Sequence, residues 1–321
     1  MEGSAGRSEF DAFISEALAQ PAPEPARIVA QGLAGRFPGA AVLLYGSGVT
    51  VSADDDPAGV LYDYYVIAPS YRECFASPIE RVAARLLPPN VYYIEEKSEY
   101  GLLRAKYAVL SLDHLKILVS RKTFHSYFWA RFAQPMRLVA APEAMRRQIA
   151  AAVREAVLTF VGRARPLAGE PSGWREIWLN GLRASYKSEL RAESGGRPEQ
   201  LLAHIADWAE QTTKLAFGES ANTRDRSAGP ARLQRVLSVL AWRLRAFQGV
   251  FLSAARLLKA TATFKGGIEY IAWKIERHSG IDLALRDWER RHPFLAAPVV
   301  AARYFQLRAG RNVSMSSETT K

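Results

Sequence analysis

The chain has 321 residues, of which 49% are hydrophobic and 23% are charged, a composition that excludes an intrinsically disordered chain and suffices for a sizeable core. Its formal net charge of +11 favours anionic partners, namely nucleotides, nucleic acid or acidic lipid. The single cysteine, Cys74, excludes an internal disulfide framework and fits a reducing compartment, where we interpret it as a small apolar filler.

The first 140 residues mix helical and strand-like patterns without a regular βαβ repeat, which predicts an α+β fold. Helices are predicted where apolar residues recur every three or four positions, and strands where apolar and β-branched residues form short runs. The predicted elements are helices over 8–18, 26–36 and 78–87, strands over 41–45, 60–68, 91–96 and 102–112, and a closing segment over 127–137.

The pattern changes after Pro142, where helix formers and an apolar stripe predict a helix over 143–161. The Pro/Gly-rich segment 164–173 predicts a loop and a candidate boundary. Later elements follow in order. They are helices over 174–191 and 199–217, a polar linker over 218–232, and an apolar, arginine-punctuated segment over 233–259. We find no internal repeat, and we predict three regions, 1–140, 141–220 and 221–321.

The most informative stretch is a strand-like run that ends in Tyr45-Gly46-Ser47-Gly48. A strand that ends at a small, flexible turn can bring backbone N–H groups against a phosphate. The next strand-like run carries one carboxylate, Asp63, which can hold Mg²⁺ beside that phosphate. The alternatives are a turn that binds nothing and an aspartate that bonds to a backbone N–H. Taken together, the turn and the acid indicate nucleotidyl transfer.

A two-residue period places Asp63 on one face with Tyr65 and Ile67. Because Tyr65 stands where a second acid would complete a pair, this strand alone cannot build a two-carboxylate metal site. The run 54–56 could add a ligand, although a solvated loop is the simpler interpretation. The histidines have no metal-ligand spacing and are interpreted as structural or surface groups. Other candidate acids are Glu73, Asp113 and Glu189.

Segment 233–259 allows two interpretations of equal weight. It could lie on an anionic membrane, with Trp242, Phe247 and Phe251 at the interface and its arginines on head groups. It could instead be a core helix whose arginines reach outward to water. No window of about 18 residues is free of charge, so we expect no transmembrane helix. The opening residues have no unbroken apolar core, so we expect no signal peptide.

Several segments, in order along the chain, resemble the mitochondrial-type phosphatidate cytidylyltransferases, or CDP-diacylglycerol synthases, of which the chain would be a divergent, bacterial-like member. Asp63 stands where the family's strand carries its metal-binding acid. The matching segments are YGSGV at 45–49, VYY at 91–93 with KYAVLS at 106–111, YFWARFAQPMRL at 127–138, SYKSELR at 185–191 and FKGGIEYIAWK at 264–274.

The resemblance implies a polymerase-β-type nucleotidyltransferase domain over 1–140, a winged-helix-like helical domain over 141–220 and a basic C-terminal helical region over 221–321. It implies Mg²⁺-dependent transfer of CMP from CTP to phosphatidate, which gives CDP-diacylglycerol and pyrophosphate for phospholipid synthesis. We then expect a peripheral protein on the cytoplasmic face of an anionic membrane, or on the matrix face of a mitochondrial inner membrane. No stable nucleic-acid partner is expected.

The resemblance also assigns site residues. Asp63 would bind the metal, and Lys106 and Arg131 would neutralise phosphate oxygens. The chain departs from the family's pattern at Ser52 and Gln134 and lacks a Trp-His pair after the Asp63 strand. Tyr65 departs from the common nucleotidyltransferase pattern, which has a second acid there. A nucleotidyltransferase for RNA or protein, and a non-catalytic relative, therefore stay open. The nucleotide contacts would come from Tyr45, Gly46, Ser47, Gly48, Glu189, Arg191 and Lys265.

Overall fold

The computed structural model describes residues 4–49, 56–169, 172–189, 196–218, 231–263, 282–291 and a few positions from 296 to 306. Its described part is α+β, with one five-stranded mixed sheet and helices on both faces. The strands are Ala41–Tyr45 (β1), Leu61–Ala68 (β2), Asn90–Ser98 (β3), Gly101–Ser111 (β4) and Arg137–Ala140 (β5).

Six described helices precede the last strand and six follow it, among them the two longest. The first group is Ser4–Ala19 (α1), Glu24–Arg36 (α2), Tyr71–Cys74 (α3), Pro78–Leu86 (α4), Leu112–Val119 (α5) and Tyr127–Phe132 (α6). The second group is Glu143–Ala168 (α7), Trp174–Lys187 (α8), Arg197–His204 (α9), Ala206–Phe217 (α10), Ala231–Thr263 (α11) and Asp287–Arg291 (α12).

The strand order is β3-β4-β2-β1-β5, with β2 and β4 parallel and the other neighbours antiparallel. In this register Tyr45 lies opposite Asp63 across β1 and β2. Asp63 in turn lies opposite Lys106 across β2 and β4. Three adjacent strands therefore present a tyrosine, a carboxylate and an ammonium group side by side.

The alternation of side chains along β2 separates two hydrophobic clusters. Tyr62, Tyr64 and Val66 pack with α2, α3 and α4 on one face of the sheet, and the Tyr64 hydroxyl donates to the Ala26 carbonyl at 2.7 Å. Tyr65 and Ile67 pack on the other face with α1, α5, α6 and α7. The prediction that Asp63 shares the face of Tyr65 and Ile67 is confirmed, because strand side chains alternate.

The cluster that contains Tyr65 continues into the helices after residue 142. Phe160 of α7, Trp178 of α8 and Trp208 of α10 are buried in it. The Trp178 indole donates to the Thr213 hydroxyl at 2.9 Å, and the Trp208 indole donates to the Ala133 carbonyl at 2.8 Å. The sheet and the following helices therefore share one core.

Two early elements differ from the prediction. The strand predicted over 102–112 ends at Ser111, and Leu112 begins α5 instead. The Ser111 hydroxyl accepts the His114 N–H at 3.4 Å and caps the helix there. Residues 137–140 form β5, which pairs with β1. The apolar run that ends at residue 112 is ambiguous between strand and helix, and the cap decides it.

Two later elements also differ. The loop predicted over 164–173 is wrong at its start, because α7 continues through Pro166 to Ala168. The single helix predicted over 199–217 is two helices, α9 and α10, that meet at Ile205. Most of the predicted linker over 218–232 lies outside the described residues, but α11 already begins at Ala231.

Helix α11 has a packed inner face and an exposed outer face. Trp242 and Arg245 are each 4% exposed. The Trp242 indole donates to the Arg163 carbonyl at 3.0 Å, and Arg245 Nε donates to the Phe124 carbonyl at 2.9 Å. A position for Trp242 at a membrane interface is therefore wrong. Large exposed side chains of the outer face are Leu233, Val236, Leu237, Leu240, Leu244, Phe247 and Phe251.

One segment of α11, Leu233–Arg256, is long and apolar enough to cross a membrane, judged by length and composition alone. The sequence predicted no such helix because arginines interrupt the segment, yet its mean hydropathy still reaches 1.2. Its apolar side chains outweigh the interrupting charges.

Candidate active site

A cleft of about 410 Å³ lies between the sheet and α9. One wall consists of the end of β1, the turn that follows it, and side chains from β2, β4 and α6. The other wall consists of α9 and Tyr186 of α8. Its polar and charged lining comes from Tyr45, Asp63, Lys106, Arg131, Gln134, Tyr186, Arg197, Gln200 and His204.

The turn after β1 is a single 3₁₀ turn, Gly46–Val49, and it needs both of its glycines. Gly46 has φ +71°, a left-handed conformation that favours glycine. A Cβ on Gly48 would lie 3.0 Å from Leu44 Cδ1, so a side chain there would crowd the core. A Cβ on Gly46 would lie 3.7 Å from Asp63 Oδ2, so the turn lies directly against the carboxylate.

Asp63 and Lys106 form an ion pair across β2 and β4, with 3.5 Å between Oδ1 and Nζ. Their side chains are 25% and 29% exposed. Both groups are thus partly accessible from the cleft. A charged ligand in the cleft can therefore reach the carboxylate and the ammonium group together.

Among the residues that the structure describes, no group of three or more His, Cys, Asp or Glu side chains is arranged for a metal ion. Mg²⁺ is commonly held by one or two carboxylates, with phosphate oxygens and water completing its shell. Asp63 supplies one part-exposed carboxylate beside the glycine turn. This donor set fits a magnesium ion that arrives with a phosphate ligand.

Arg131 and Glu189 form the most buried ion pair of the cleft region. Arg131 Nη2 lies 2.5 Å from Glu189 Oε2, and the side chains are 19% and 10% exposed. The Arg131 guanidinium also stacks on the Tyr127 ring at 4.2 Å. Burial works to lower the pKa of Arg131, but Tyr127 and Glu189 beside it raise that pKa well above its usual value. Arg131 is therefore a permanent cation at the cleft.

The wall behind Arg131 is aromatic. Tyr45 stacks on Tyr65 at 4.6 Å between ring centroids, and Tyr65 contacts Phe132 at 4.6 Å. Burial, followed by the charge of Asp63, raises the pKa of Tyr45 well above its usual value. Tyr45 thus stays a neutral hydroxyl at any ordinary pH and offers a hydrogen bond without a charge.

The structure brings together five of the site residues that the sequence nominated. Glu189 is connected to the cleft by its ion pair with Arg131, which lines the cleft. Gly48 lies inside the turn, where it packs on the core. Ser47 belongs to the turn by its backbone. Arg191 and Lys265 lie outside the described residues, as does Ser52. The five lining residues are Tyr45, Gly46, Asp63, Lys106 and Arg131.

Three other acids that the sequence offered as metal ligands have local roles, and Asp54 and Asp55 lie outside the described residues. Asp56 accepts the Ala58 N–H at 3.1 Å and caps a short 3₁₀ turn. Glu73 accepts a hydrogen bond from the Ser70 hydroxyl at 3.0 Å. Asp113 is 87% exposed beside Lys116. None of these three side chains lines the cleft.

Sequence reasoning missed the contribution of α9. Arg197, Gln200 and His204 line the cleft from this helix, and His204 Nδ1 is 2.7 Å from the Gln200 carbonyl. His204 was interpreted as a structural or surface group, and the structure places it in the cleft wall. The available signal is the spacing of these three residues, which puts polar groups on one helix face.

Comparison with protein-family models finds no family whose model matches the chain. A search of curated proteins likewise finds no relative that matches it. The family resemblance thus rests on the short motif segments, and it remains a prediction.

Proposed function

We propose that the chain is a nucleotidyltransferase that moves CMP from CTP to phosphatidate. The observation that carries this proposal is the cleft, where one carboxylate and three side-chain cations surround a glycine turn. Asp63 is the carboxylate, and Lys106, Arg131 and Arg197 are the cations. Lys106 is paired with Asp63 and Arg131 with Glu189, so the cleft offers several cations whose partners a more highly charged anion can replace. A triphosphate that brings Mg²⁺ with it is the ligand class that matches such cations around a glycine turn.

In the proposed reaction, a phosphate oxygen of phosphatidate attacks the α-phosphorus of CTP. A new phosphorus–oxygen bond forms, the bond from the α-phosphorus to the bridging oxygen breaks, and pyrophosphate leaves. Such transfer needs little covalent help, so positioning and charge neutralisation carry the rate. Asp63 would hold Mg²⁺, which when bound neutralises charge on the phosphate oxygens.

The chain's own side chains divide the remaining work. Lys106 and Arg197 face the cleft from opposite walls, which suits them to hold the two ends of a polyphosphate. Arg131 is oriented by Glu189 and offers a planar fork of donors to phosphate oxygens. The hydroxyl of Tyr45 is held at the strand end by stacking on Tyr65.

The mixed sheet with a cleft at its strand ends supports a polymerase-β-type domain over residues 1–140. Residues 141–220 supply the opposing wall through α9, which supports a substrate-facing role for a winged-helix-like domain there. The core shared between the sheet, α7, α8 and α10 supports a rigid arrangement of the two regions around the cleft.

The outer face of α11 supports attachment to an anionic membrane through region 221–321. Phe247 is 79% exposed and Phe251 is 70% exposed, and aromatic side chains are well suited to the lipid interface. The exposed Arg235 and Arg243 suit anionic head groups. Because Arg245 is tied to the protein body, we propose that α11 lies on the membrane surface.

The test supplies labelled CTP, Mg²⁺ and vesicles that contain phosphatidate, with ATP, GTP and UTP as competing nucleotides. We expect the label in lipid and release of pyrophosphate. Asp63→Asn should lower turnover by at least about 100-fold with an unchanged far-UV spectrum. Asp113→Asn is the matched control, since that carboxylate is 87% exposed at a different surface.

Wild-type turnover in Asp63→Asn would remove Asp63 from the site. Parallel reactions with RNA and protein acceptors separate the alternative enzyme from the proposed one. Label in RNA or protein, with none in lipid, would favour that alternative. A chain that binds no nucleotide in the presence of Mg²⁺ would be a non-catalytic relative.

A further inference from the structure

Helix α11 contacts the side of the cleft that carries Arg131. The Arg256 guanidinium lies 4.2 Å from the centre of the Tyr127 ring, and the Arg131 guanidinium lies 4.2 Å from the centre of the same ring. Arg256 is itself held in place, because its Nε donates to the Pro88 carbonyl at 2.7 Å. One aromatic ring thus connects α11 to an arginine of the cleft.

The same helix also contacts the residue that precedes Glu189, the partner of Arg131. A Cβ on Gly249 would lie 2.1 Å from the Ser188 carbonyl oxygen, so the backbones of α11 and of the end of α8 are in direct contact. Ser188 immediately precedes Glu189. The Ser126 and Ser188 hydroxyls are 2.6 Å apart, which ties the chain before Tyr127 to the chain before Glu189.

We propose that α11 is a positioning element for the Arg131–Glu189 pair, and that Arg256 is a positioning residue that acts through Tyr127. The proposal goes beyond the proposed function and rests on it only in assigning a polyphosphate to the cleft. Arg131 has a long side chain with many rotamers, and ordering such a side chain costs up to about 2 kcal/mol. The Tyr127 ring and Glu189 provide that order in advance.

Replacement of Arg256 removes the guanidinium that stacks on the Tyr127 ring. The ring then loses a contact that holds its orientation. Arg131 then loses its stacking surface while it keeps its charge and its contact with Glu189. We expect Arg131 to bind phosphate oxygens more weakly and with less defined geometry, because preorganised donors bind better than mobile ones. Coupling through one intermediate side chain commonly amounts to a change of about 3- to 30-fold in affinity.

Arg245 provides the matched control. It lies on the same helix, is buried, and donates its Nε proton to a backbone carbonyl as Arg256 does. It stacks on Phe124 at 4.6 Å and on Trp242 at 5.2 Å, away from the Tyr127 ring. Its removal therefore loosens α11 without withdrawing a group from Tyr127.

The experiment measures the affinity of the full chain for Mg²⁺-CTP and for inorganic tripolyphosphate by calorimetry. Arg256→Met should weaken both by about tenfold, and Arg256→Lys should restore part of the loss. Arg245→Met should leave both within about twofold even where it lowers the melting temperature equally. Tyr127→Leu should weaken binding as Arg256→Met does, and Tyr127→Phe should restore most of it.

A second readout follows Arg131 itself. Its Nε–H resonance, assigned by its disappearance in Arg131→Lys, should shift and broaden in Arg256→Met and keep its position in Arg245→Met. The double variant of Arg256→Met with Tyr127→Leu should lose no more affinity than Tyr127→Leu alone, because both changes act through one ring.

Equal losses of affinity in Arg256→Met and Arg245→Met would overturn the proposal, because α11 would then act through general stability. An unchanged Arg131 resonance in Arg256→Met would overturn it as well. If the wild-type chain binds neither CTP nor tripolyphosphate, the proposed function fails. The resonance then still decides whether Arg256 orients Arg131, so the two failures are distinguishable.

Discussion

Replacing Gly249 by alanine tests how closely α11 is seated against α8. Two effects oppose each other in this substitution. Removal of a glycine from a helix interior favours the folded state by about 1 kcal/mol. The added methyl group would lie 2.1 Å from the Ser188 carbonyl oxygen and 2.9 Å from Ser188 Cβ, and this overlap disfavours the folded state.

The overlap outweighs the gain in helix propensity. Ordinary Cβ contacts begin near 3.4 Å, so α11 must retreat by about 1.3 Å, the difference from 2.1 Å, and forced repacking of this kind costs about 1–3 kcal/mol. No side-chain rotation relieves a clash with a backbone oxygen, so the cost lies at the upper end of this range, about 2–3 kcal/mol. After subtraction of the gain of about 1 kcal/mol in helix propensity, we expect a net loss of about 1–2 kcal/mol. For a chain of 321 residues this lowers the melting temperature by about 1.5–3 °C.

Two other glycines serve as controls. A Cβ on Gly35 of α2 meets nothing within 4 Å, so Gly35→Ala should raise the melting temperature slightly. A Cβ on Gly181 would lie 2.7 Å from Ala164 Cβ, so Gly181→Ala should lower it through a clash between α8 and α7. Thermal unfolding followed by circular dichroism, together with CTP affinity, separates the three variants.

We expect Gly249→Ala and Gly181→Ala both to lose stability, and Gly249→Ala alone to lose CTP affinity through displacement of Glu189. A melting temperature that rises in Gly249→Ala as it does in Gly35→Ala would refute the reasoning. It would mean that α11 is not seated against Ser188 as the structure has it.

Burial, followed by the charge of Arg256, lowers the pKa of His125 to about 4, so only the unfolded chain takes up a proton on it near pH 5. Stability should therefore fall by roughly 2 kcal/mol from pH 7 to pH 5; an unaltered pH profile of melting temperature in His125→Gln would contradict this. Replacing Phe247 and Phe251 by serine should weaken flotation with anionic vesicles by about tenfold or more. Ile117→Ser, on an exposed part of α5, should leave flotation unchanged. Equal losses of flotation in the two variants would disprove the proposal that α11 binds the membrane.

Much of the sheet can be predicted from the sequence because its signals are local. The apolar run of β1 ends at Tyr45 in the structure as predicted, and β2 begins one residue later than predicted. The two-residue period along β2 correctly separates the face of Asp63 from that of Tyr62. Where a short apolar run was ambiguous, as at Leu112, a hydrogen bond to a neighbouring side chain decided between strand and helix.

The site is predicted less completely because its parts come from distant stretches of the chain. The turn at Gly46 and the acid at Asp63 are recognisable from their residue types and their neighbours. The α9 wall with His204 is not, because a polar helix face has the same pattern whether it meets water or a cleft. The burial of Trp242 cannot be predicted from the sequence either, because its indole donates a hydrogen bond to a carbonyl 79 residues away.

The sequence by itself determined where the chain forms strands and turns near the cleft, and which residue carries the lone acid. These features depend on side-chain periodicity and on glycine's freedom at the backbone, and both act between near neighbours. Only the tertiary structure decided that Arg131 meets Glu189, 58 residues away, and that Arg256 meets Pro88, 168 residues away. Such contacts depend on how whole elements pack, and no local pattern records which buried charge will find which partner.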